Sequence, residues 1–135
     1  MRRREPTDDG AAPHVAAVLT MFYYQDVDRA AAWYEDKLGF RRLMQTTGFV
    51  LFEVSGVAQL ALIGAGHGSQ QPIAGSGKGA ILSIETEDLE GWHALLFARE
   101  VEGTGTGLQV GGGGRTVEFK VQDPEGYTIE FFEWI

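Results

Sequence analysis

The side chains best suited to chemistry in this sequence are carboxylates that alternate with apolar residues. Glu130 stands in the segment TIEFF and Glu85 in the segment SIET. Such alternation is typical of strands that turn one face to a cavity. A carboxylate on that face can pair with a cationic ligand or accept a proton as a general base. Alternatively, Glu130 is a relic that only bonds to the backbone.

Other catalytic residue types are sparse. The chain has no cysteine, which excludes disulfides, thiolate nucleophiles and thiolate metal ligands. Its histidines, His14, His67 and His93, fall outside the predicted inner strands and are assigned surface or tail roles. No Ser-His-Asp spacing suggests a hydrolase. The glycine run GTGTGLQVGGGGR leads into a strand, whereas a phosphate-binding glycine loop opens a helix.

Composition narrows the class of partner. The chain of 135 residues is 44% hydrophobic, which predicts one domain with a substantial core. Nineteen acidic against 11 basic residues give a net charge of −8, which disfavours nucleic acid and anionic membranes and favours a cationic small molecule. No segment reaches the roughly 20 apolar residues of a membrane span. With no secretory signal in residues 1–14, we expect a cytoplasmic protein.

The beginning of the chain differs in composition from the rest. Residues 1–14 combine three arginines with acids, glycine and prolines, and they are predicted to form a flexible tail. The alternative is an arm that covers a partner subunit. Residues 15–135 are predicted to form the single domain.

The elements that must position the carboxylates begin with a strand from Val15 to Tyr24. Asp26 is suited to cap a helix that Gly39 ends. Three further strands are predicted at 40–47, 49–54 and 57–63, with a hairpin turn at Ser55-Gly56. The first half therefore has the order β-α-β-β-β.

The same order repeats in the second half. Asp88 opens a helix as Asp26 does 62 residues earlier, and this helix runs to Arg99. Strands are predicted at 80–86, near Val101, at 116–121 and at 127–132, with a turn at 123–126. The predicted fold is α+β: two βαβββ units, about 15–64 and 79–134, form a curved mixed sheet around a cavity.

Alternation along the strands defines the inner face, because successive side chains point to opposite sides of a sheet. The first half contributes Leu19, Met21, Tyr23, Gln59, Ala61 and Ile63. The second half contributes Ile81, Ser83, Glu85, Thr128, Glu130 and Phe132, and Trp134 walls the cavity or a subunit seam. This cup suits a flat aromatic molecule, with a carboxylate or an aromatic face for any cationic group. Met21, Tyr23 and Phe132 can equally be plain core.

Two segments together resemble a known superfamily. QDVDRAAAWYEDKLGF at 25–40 and QDPEGYTIEFFE at 122–133, with the internal duplication, are similar to the vicinal oxygen chelate superfamily. It includes glyoxalase I, extradiol dioxygenases, fosfomycin resistance enzymes and bleomycin resistance proteins. The resemblance covers about 18–133 and implies a paired βαβββ fold, a homodimer, and cavities built from both subunits.

The resemblance also bears on metal binding. In metal-dependent members, His, Glu or Gln ligands lie on the first and last strands of each half. Carried over to this sequence, those positions hold Leu19, Ala61, Ile81 and Glu130, of which only Glu130 can coordinate a metal. A catalytic metal normally takes three or four protein ligands. We therefore expect no metal, no cofactor and no assigned catalytic residue.

The resulting hypothesis is a metal-free dimeric protein, similar to the bleomycin resistance proteins, that sequesters a toxic aromatic or cationic natural product. One rival is an enzyme of the same fold, either a metal-dependent lyase, isomerase or dioxygenase, or a metal-free catalyst with Glu130 as the base. Another is a scaffold subunit whose cavity is filled by its own side chains. Because one fold hosts several activities, these alternatives stay open at the level of sequence.

Overall fold

Two four-stranded sheets, each with one helix packed on one face, make up the chain. The computed structural model describes residues 10–135. The first half comprises β1 (Val18–Tyr24), α1 (Val27–Trp33), β2 (Arg41–Thr46), β3 (Phe49–Ser55) and β4 (Ala58–Gly64). The second comprises β5 (Ile81–Glu85), α2 (Leu89–Ala98), β6 (Gln109–Gly111), β7 (Thr116–Gln122) and β8 (Thr128–Trp134). The predicted α+β fold of two βαβββ units is confirmed.

Strand order is the same in both sheets. The first sheet runs β1-β4-β3-β2 and the second β5-β8-β7-β6. The first pair in each sheet is parallel and the other pairs are antiparallel. β1 and β5 are therefore edge strands. The predicted tail falls mostly on residues 1–9, which lie outside the described residues, and residues 10–14 are exposed without helix or strand.

Both helices begin at an aspartate, as predicted. The Asp26 carboxylate accepts a hydrogen bond from the backbone N–H of Arg29 at 3.1 Å, and Asp88 accepts one from Gly91 at 3.0 Å. These bonds satisfy N–H groups that have no partner inside a helix. α1 continues into a π-helical turn, Tyr34–Leu38, and ends at Gly39 with a φ of 71°. Glycine adopts this left-handed conformation without strain.

The predicted strand near Val101 is wrong. Val101 is buried, and its N–H donates to the carbonyl oxygen of Leu96 at 3.0 Å, which closes the end of α2. Positive φ angles at Glu100 (58°) and Gly103 (104°) then turn the chain. The remaining strand of this half is instead β6, inside the glycine run, at the edge of the sheet opposite β5. Val101 is apolar because it packs in the core, whereas β6 is a short edge strand and needs few apolar residues.

One continuous core lies between the helices and the sheets of both halves. Its largest fully buried side chains are Tyr24, Tyr34, Phe22, Phe52 and Phe131. Trp33 and Trp92 are half-buried against it. Such burial is the main source of folding free energy in a chain without cysteine.

A buried carboxylate joins the halves within this core. Asp123, 3% exposed, follows β7, and its Oδ2 accepts hydrogen bonds from the hydroxyls of Tyr24 and, at 2.8 Å, of Tyr34. Its Oδ1 accepts the backbone N–H groups of Glu125 and Tyr127, both at 2.9 Å. One side chain therefore fixes a turn of the second half against β1 and the helical segment of the first.

Further contacts tie the halves at their edges. The Tyr127 hydroxyl accepts the N–H of Tyr23 at 3.0 Å and donates to its carbonyl oxygen at 3.1 Å. The Lys37 ammonium donates to the Arg99 carbonyl oxygen, and the Arg99 guanidinium donates to that of Lys37, both at 2.8 Å. These two residues are 62 positions apart, so the reciprocal bonds reflect the duplication. In the described part of the chain, no helix is long and apolar enough to cross a membrane.

Candidate functional site

The site residues predicted by alternation share one side of each sheet, which we term the open face. It is the side opposite the helix. Met21 pairs with Ala61 in the first sheet, and Ser83 pairs with Glu130 at the equivalent position of the second. Between Met21 and Tyr23 along β1, Phe22 points to the other side of the sheet and is buried in the core against the helix. The predicted equivalence of the strands in the two halves is therefore confirmed.

The open face of the first sheet is apolar. Ala61 and Ile63 are buried in a small cluster with Leu51, against which Tyr23 packs. Leu19 and Met21 lie at the free edge and are 39% and 52% exposed.

A cavity of about 490 Å³ opens on this face. Three residues that the sequence analysis assigned to the inner face, Met21, Tyr23 and Ile63, line it together with Phe49 and His67, which sequence reasoning missed. His67 is exposed, as predicted, but it also borders this cavity. His93 is half-buried: its Nε2 lies 2.8 Å from the Thr104 carbonyl oxygen, and its ring packs on Phe119.

The open face of the second sheet is polar. Glu130 accepts a hydrogen bond from Ser83 through Oε1, at 2.6 Å, and its Oε2 lies 3.2 Å from the Lys120 ammonium. Lys120 also donates to Glu118 Oε1 at 2.6 Å, and the other oxygen of Glu118 accepts from Thr116 at 3.0 Å. Each of the four carboxylate oxygens therefore has a donor. We call this set the Glu118–Lys120–Glu130 cluster.

The hydrogen bond that Lys120 donates to Glu118 stabilises the charged form of both groups. It raises the pKa of Lys120 and lowers the pKa of Glu118. Two carboxylates and one ammonium leave one net negative charge. Glu85, exposed on the same face, adds another. Sequence reasoning missed Lys120 and Glu118, although alternation in TVEFKV would have placed both on the open face.

The remaining predicted residues lie around these two centres. Thr128 accepts a hydrogen bond from Gln122 at 2.9 Å. The Phe132 and Trp134 rings meet edge to face, 5.2 Å apart, and Trp134 is 63% exposed. Gln59 lies at the N-terminal end of β4, beside the apolar face, and Ile81 lies at the N-terminal end of β5, beside the polar face. Whether any of these residues contacts a ligand stays a prediction.

The residues present do not fit a catalytic metal ion. Leu19, Ala61 and Ile81 offer no donor atom, and Glu130 is held by Ser83 and Lys120. Over residues 10–135, no three or more His, Asp or Glu side chains are grouped so as to hold a metal ion. The cation that Glu130 faces here is the Lys120 ammonium, which it shares with Glu118.

Comparison with solved structures shows where this fold recurs. Lactoylglutathione lyase from Agrobacterium tumefaciens is 21% identical over 90% of this chain and 96% of its own, with a TM-score of 0.70. TioX from Micromonospora sp. ML1 is 21% identical over 90% of this chain and all of its own, with a TM-score of 0.71. A glyoxalase/bleomycin resistance protein/dioxygenase from Nocardioides is 19% identical over 94% and 87%, with a TM-score of 0.72. At these identities the likeness concerns the fold alone.

Sequence comparison gives the family. No curated protein sequence matches the chain significantly. Residues 12–131 match the profile of one superfamily, which spans most of the chain. The chain belongs to the Glyoxalase/Bleomycin resistance protein/Dioxygenase superfamily.

Proposed function

We propose that the protein is a metal-independent binding protein that sequesters a toxic aromatic compound carrying a cationic group. The carrying observation is the division of the open faces into an apolar, aromatic cavity and a negatively charged cluster. Aromatic side chains supply stacking, and the cluster supplies charge pairing. In the cytoplasm such a protein would protect by lowering the free concentration of the compound.

Glu130 is held in position by two neighbours. One oxygen accepts a hydrogen bond from Ser83, and the other faces the Lys120 ammonium. Because each carboxylate oxygen has two lone pairs, both can still accept a hydrogen bond from a ligand. In the proposed site the carboxylate serves as a fixed negative charge for a ligand cation.

Two opposite substitutions test the charge pairing. Glu130→Gln is expected to weaken binding of 2-naphthylmethylammonium about tenfold, because the cluster loses its net charge. Lys120→Met is expected to strengthen it, since a second negative charge is uncovered. Fluorescence and calorimetric titration measure both. Glu90→Gln removes the same charge from the exposed first turn of α2 and should change nothing.

The same titrations extend to cationic aromatic antibiotics, including glycopeptides of the bleomycin type. Trp134 beside Phe132 is the expected reporter, and Trp134→Phe should remove the fluorescence response but not the calorimetric one. A wild-type protein that binds neither the amine nor any such antibiotic would contradict sequestration. Equal affinity of the wild-type protein, Glu130→Gln and Lys120→Met for the amine would contradict the role of the cluster.

A homodimer completes the proposed site. β1 and β5 are edge strands, and Val18, Met21 and Ile81 on them are 62%, 52% and 51% exposed. Exposed apolar edges of this kind favour pairing with another chain. If β1 of one copy lies beside β5 of its partner, an apolar and a charged open face border one cavity.

Mass measurement tests this assembly. Leu19→Lys places a charge on the free edge of β1 and is expected to yield a folded monomer, whereas the wild-type protein sediments as a dimer. Leu95→Lys is the matched control, because Leu95 is also 39% exposed but lies on α2. A monomeric wild-type protein at tens of micromolar would be evidence against the shared cavity.

A further inference from the structure

The apolar cavity has a corner where two short turns meet. The turn between β2 and β3 contains Gly48, with a φ of 72°, and its carbonyl oxygen accepts the N–H of Gly64 at 2.9 Å. In the turn that follows β4, the N–H of His67 donates to the Gly64 carbonyl oxygen at 3.1 Å. The loop after β4 is thereby folded back onto the β2–β3 hairpin. This brings His67 to the cavity formed by Tyr23 and Phe49.

Two glycines make room for aromatic rings at this corner. A Cβ atom on Gly48 would overlap the imidazole ring of His67. A Cβ atom on Gly68 would stand 3.0 Å from Cε2 of Tyr23 and 3.1 Å from Cγ2 of Ile63, closer than ordinary packing. A side chain at Gly48 would therefore displace the His67 ring, and one at Gly68 would crowd the Tyr23 ring.

The chemistry of the cavity wall is specific. Three rings, those of Tyr23, Phe49 and His67, face this space, and among residues 10–135 no Asp, Glu, Lys or Arg lines it. In a chain that is 22% charged, this composition fits an uncharged planar group. Within the described residues, neither a ring nitrogen of His67 nor the Tyr23 hydroxyl has a hydrogen-bond partner in the protein. Both remain available to a ligand.

We infer that this cavity is a subsite for an uncharged aromatic ring carrying a hydroxyl or amide group, and that His67 selects the ligand by hydrogen bonding to that group. The inference rests on the proposed binding function and assigns the aromatic part of the ligand to the first sheet. His67 is thereby a specificity-determining residue, and Gly48 sets its position.

The test uses 2-naphthol and naphthalene as probes, with affinity measured by titration of backbone amide chemical shifts. The wild-type protein should bind 2-naphthol about tenfold more tightly than naphthalene, the expected effect of one hydrogen bond in an apolar site. His67→Leu should remove this preference and leave naphthalene binding unchanged. His67→Gln, which keeps a hydrogen-bonding group, should restore part of it.

A glycine pair tests the geometry. Gly48→Ala should weaken binding of 2-naphthol and reduce its advantage over naphthalene, because the new methyl group displaces the imidazole ring. Gly56→Ala is the matched control: Gly56 also lies in a hairpin turn with positive φ (53°), but its Cβ would meet no atom within 4 Å. Backbone strain is thereby present in both variants, and ring displacement in only one. If Gly48→Ala does not fold, the His67 variants decide.

Equal affinity for 2-naphthol in the wild-type protein and His67→Leu would overturn the role of His67. Shifts confined to residues of the second sheet, or no binding of either probe, would overturn the subsite. Binding of 2-naphthylmethylammonium, with its dependence on Glu130, is measured separately. Sequestration therefore survives or fails independently of this inference.

Discussion

Replacement of Asp123 by alanine is expected to lower the free energy of unfolding by about 3 to 5 kcal/mol. The substitution removes the acceptor of two buried tyrosine hydroxyls and two backbone N–H groups. An unsatisfied buried polar group costs about 1 to 3 kcal/mol, and groups in one network are not independent. Urea unfolding followed by circular dichroism measures the loss.

Two comparisons separate this network from the loss of a charge. Asp123→Asn keeps an oxygen for the backbone N–H groups while its amide nitrogen faces the hydroxyls of Tyr24 and Tyr34, so we expect a smaller loss. Asp28→Ala removes a carboxylate from the exposed face of α1 and should change stability by less than about 1 kcal/mol. A loss at Asp123→Ala as small as that at Asp28→Ala would show that the network does not stabilise the fold.

The same tyrosines predict a steep loss of stability in alkali. Burial raises the pKa of Tyr24, and the neighbouring Tyr34 and the Asp123 carboxylate raise it further. Burial, and then the Asp123 charge, raise the pKa of Tyr34 well above its ordinary value. In the unfolded chain both lose their protons near pH 10, to within about one unit. The folded chain keeps them to higher pH.

The direction follows from proton linkage. Below about pH 10 both states hold the protons, and the contribution of the buried tyrosines to stability is complete. Above it the unfolded state binds fewer protons, so the free energy of unfolding falls by about 1.4 kcal/mol per pH unit for each tyrosine. The loss continues until the folded-state pKa is reached. Burial also raises the pKa of Tyr127, which adds to the same trend.

Tyr34→Phe isolates this effect. Although the variant is less stable at neutral pH, its slope against pH above about 10 should be shallower by about 1.4 kcal/mol per unit. Urea unfolding at a series of alkaline pH values, with phenolate absorbance recorded in parallel, measures both quantities. Parallel curves for the wild-type protein and the variant would mean that Tyr34 ionises equally in the folded and unfolded states.

Much of the fold could be predicted because its determinants are local. Aspartates at helix starts, Gly39 at a helix end, and the alternation of buried and exposed side chains each act within a few residues. The strand assigned near Val101 failed for a tertiary reason. Val101 is buried in the core instead of pairing in a sheet. The chain then turns at Gly103, where a Cβ atom would collide with the carbonyl oxygen of Lys120.

The candidate site was predictable to the same extent. Alternation assigned Ser83 and Glu130 to the same face, and in the structure the two residues pair across β5 and β8. It would also have indicated Lys120, had β7 been treated like its neighbours. His67 had no local signal, because its position depends on contact between two loops about 20 residues apart. The role of Asp123 was hidden for the same reason, since its tyrosine partners lie in the other half of the chain.

The Tyr127 hydroxyl has a consequence for self-association beyond the joining of the halves. By bonding both the N–H and the carbonyl oxygen of Tyr23, it occupies the free edge of β1 at that residue. A strand from another molecule can therefore add only along the earlier part of β1, around Leu19 and Met21. At β1, pairing between chains is therefore limited to a short stretch of backbone hydrogen bonds. The hydroxyl thus opposes open-ended strand addition at this edge while leaving room for one closed contact.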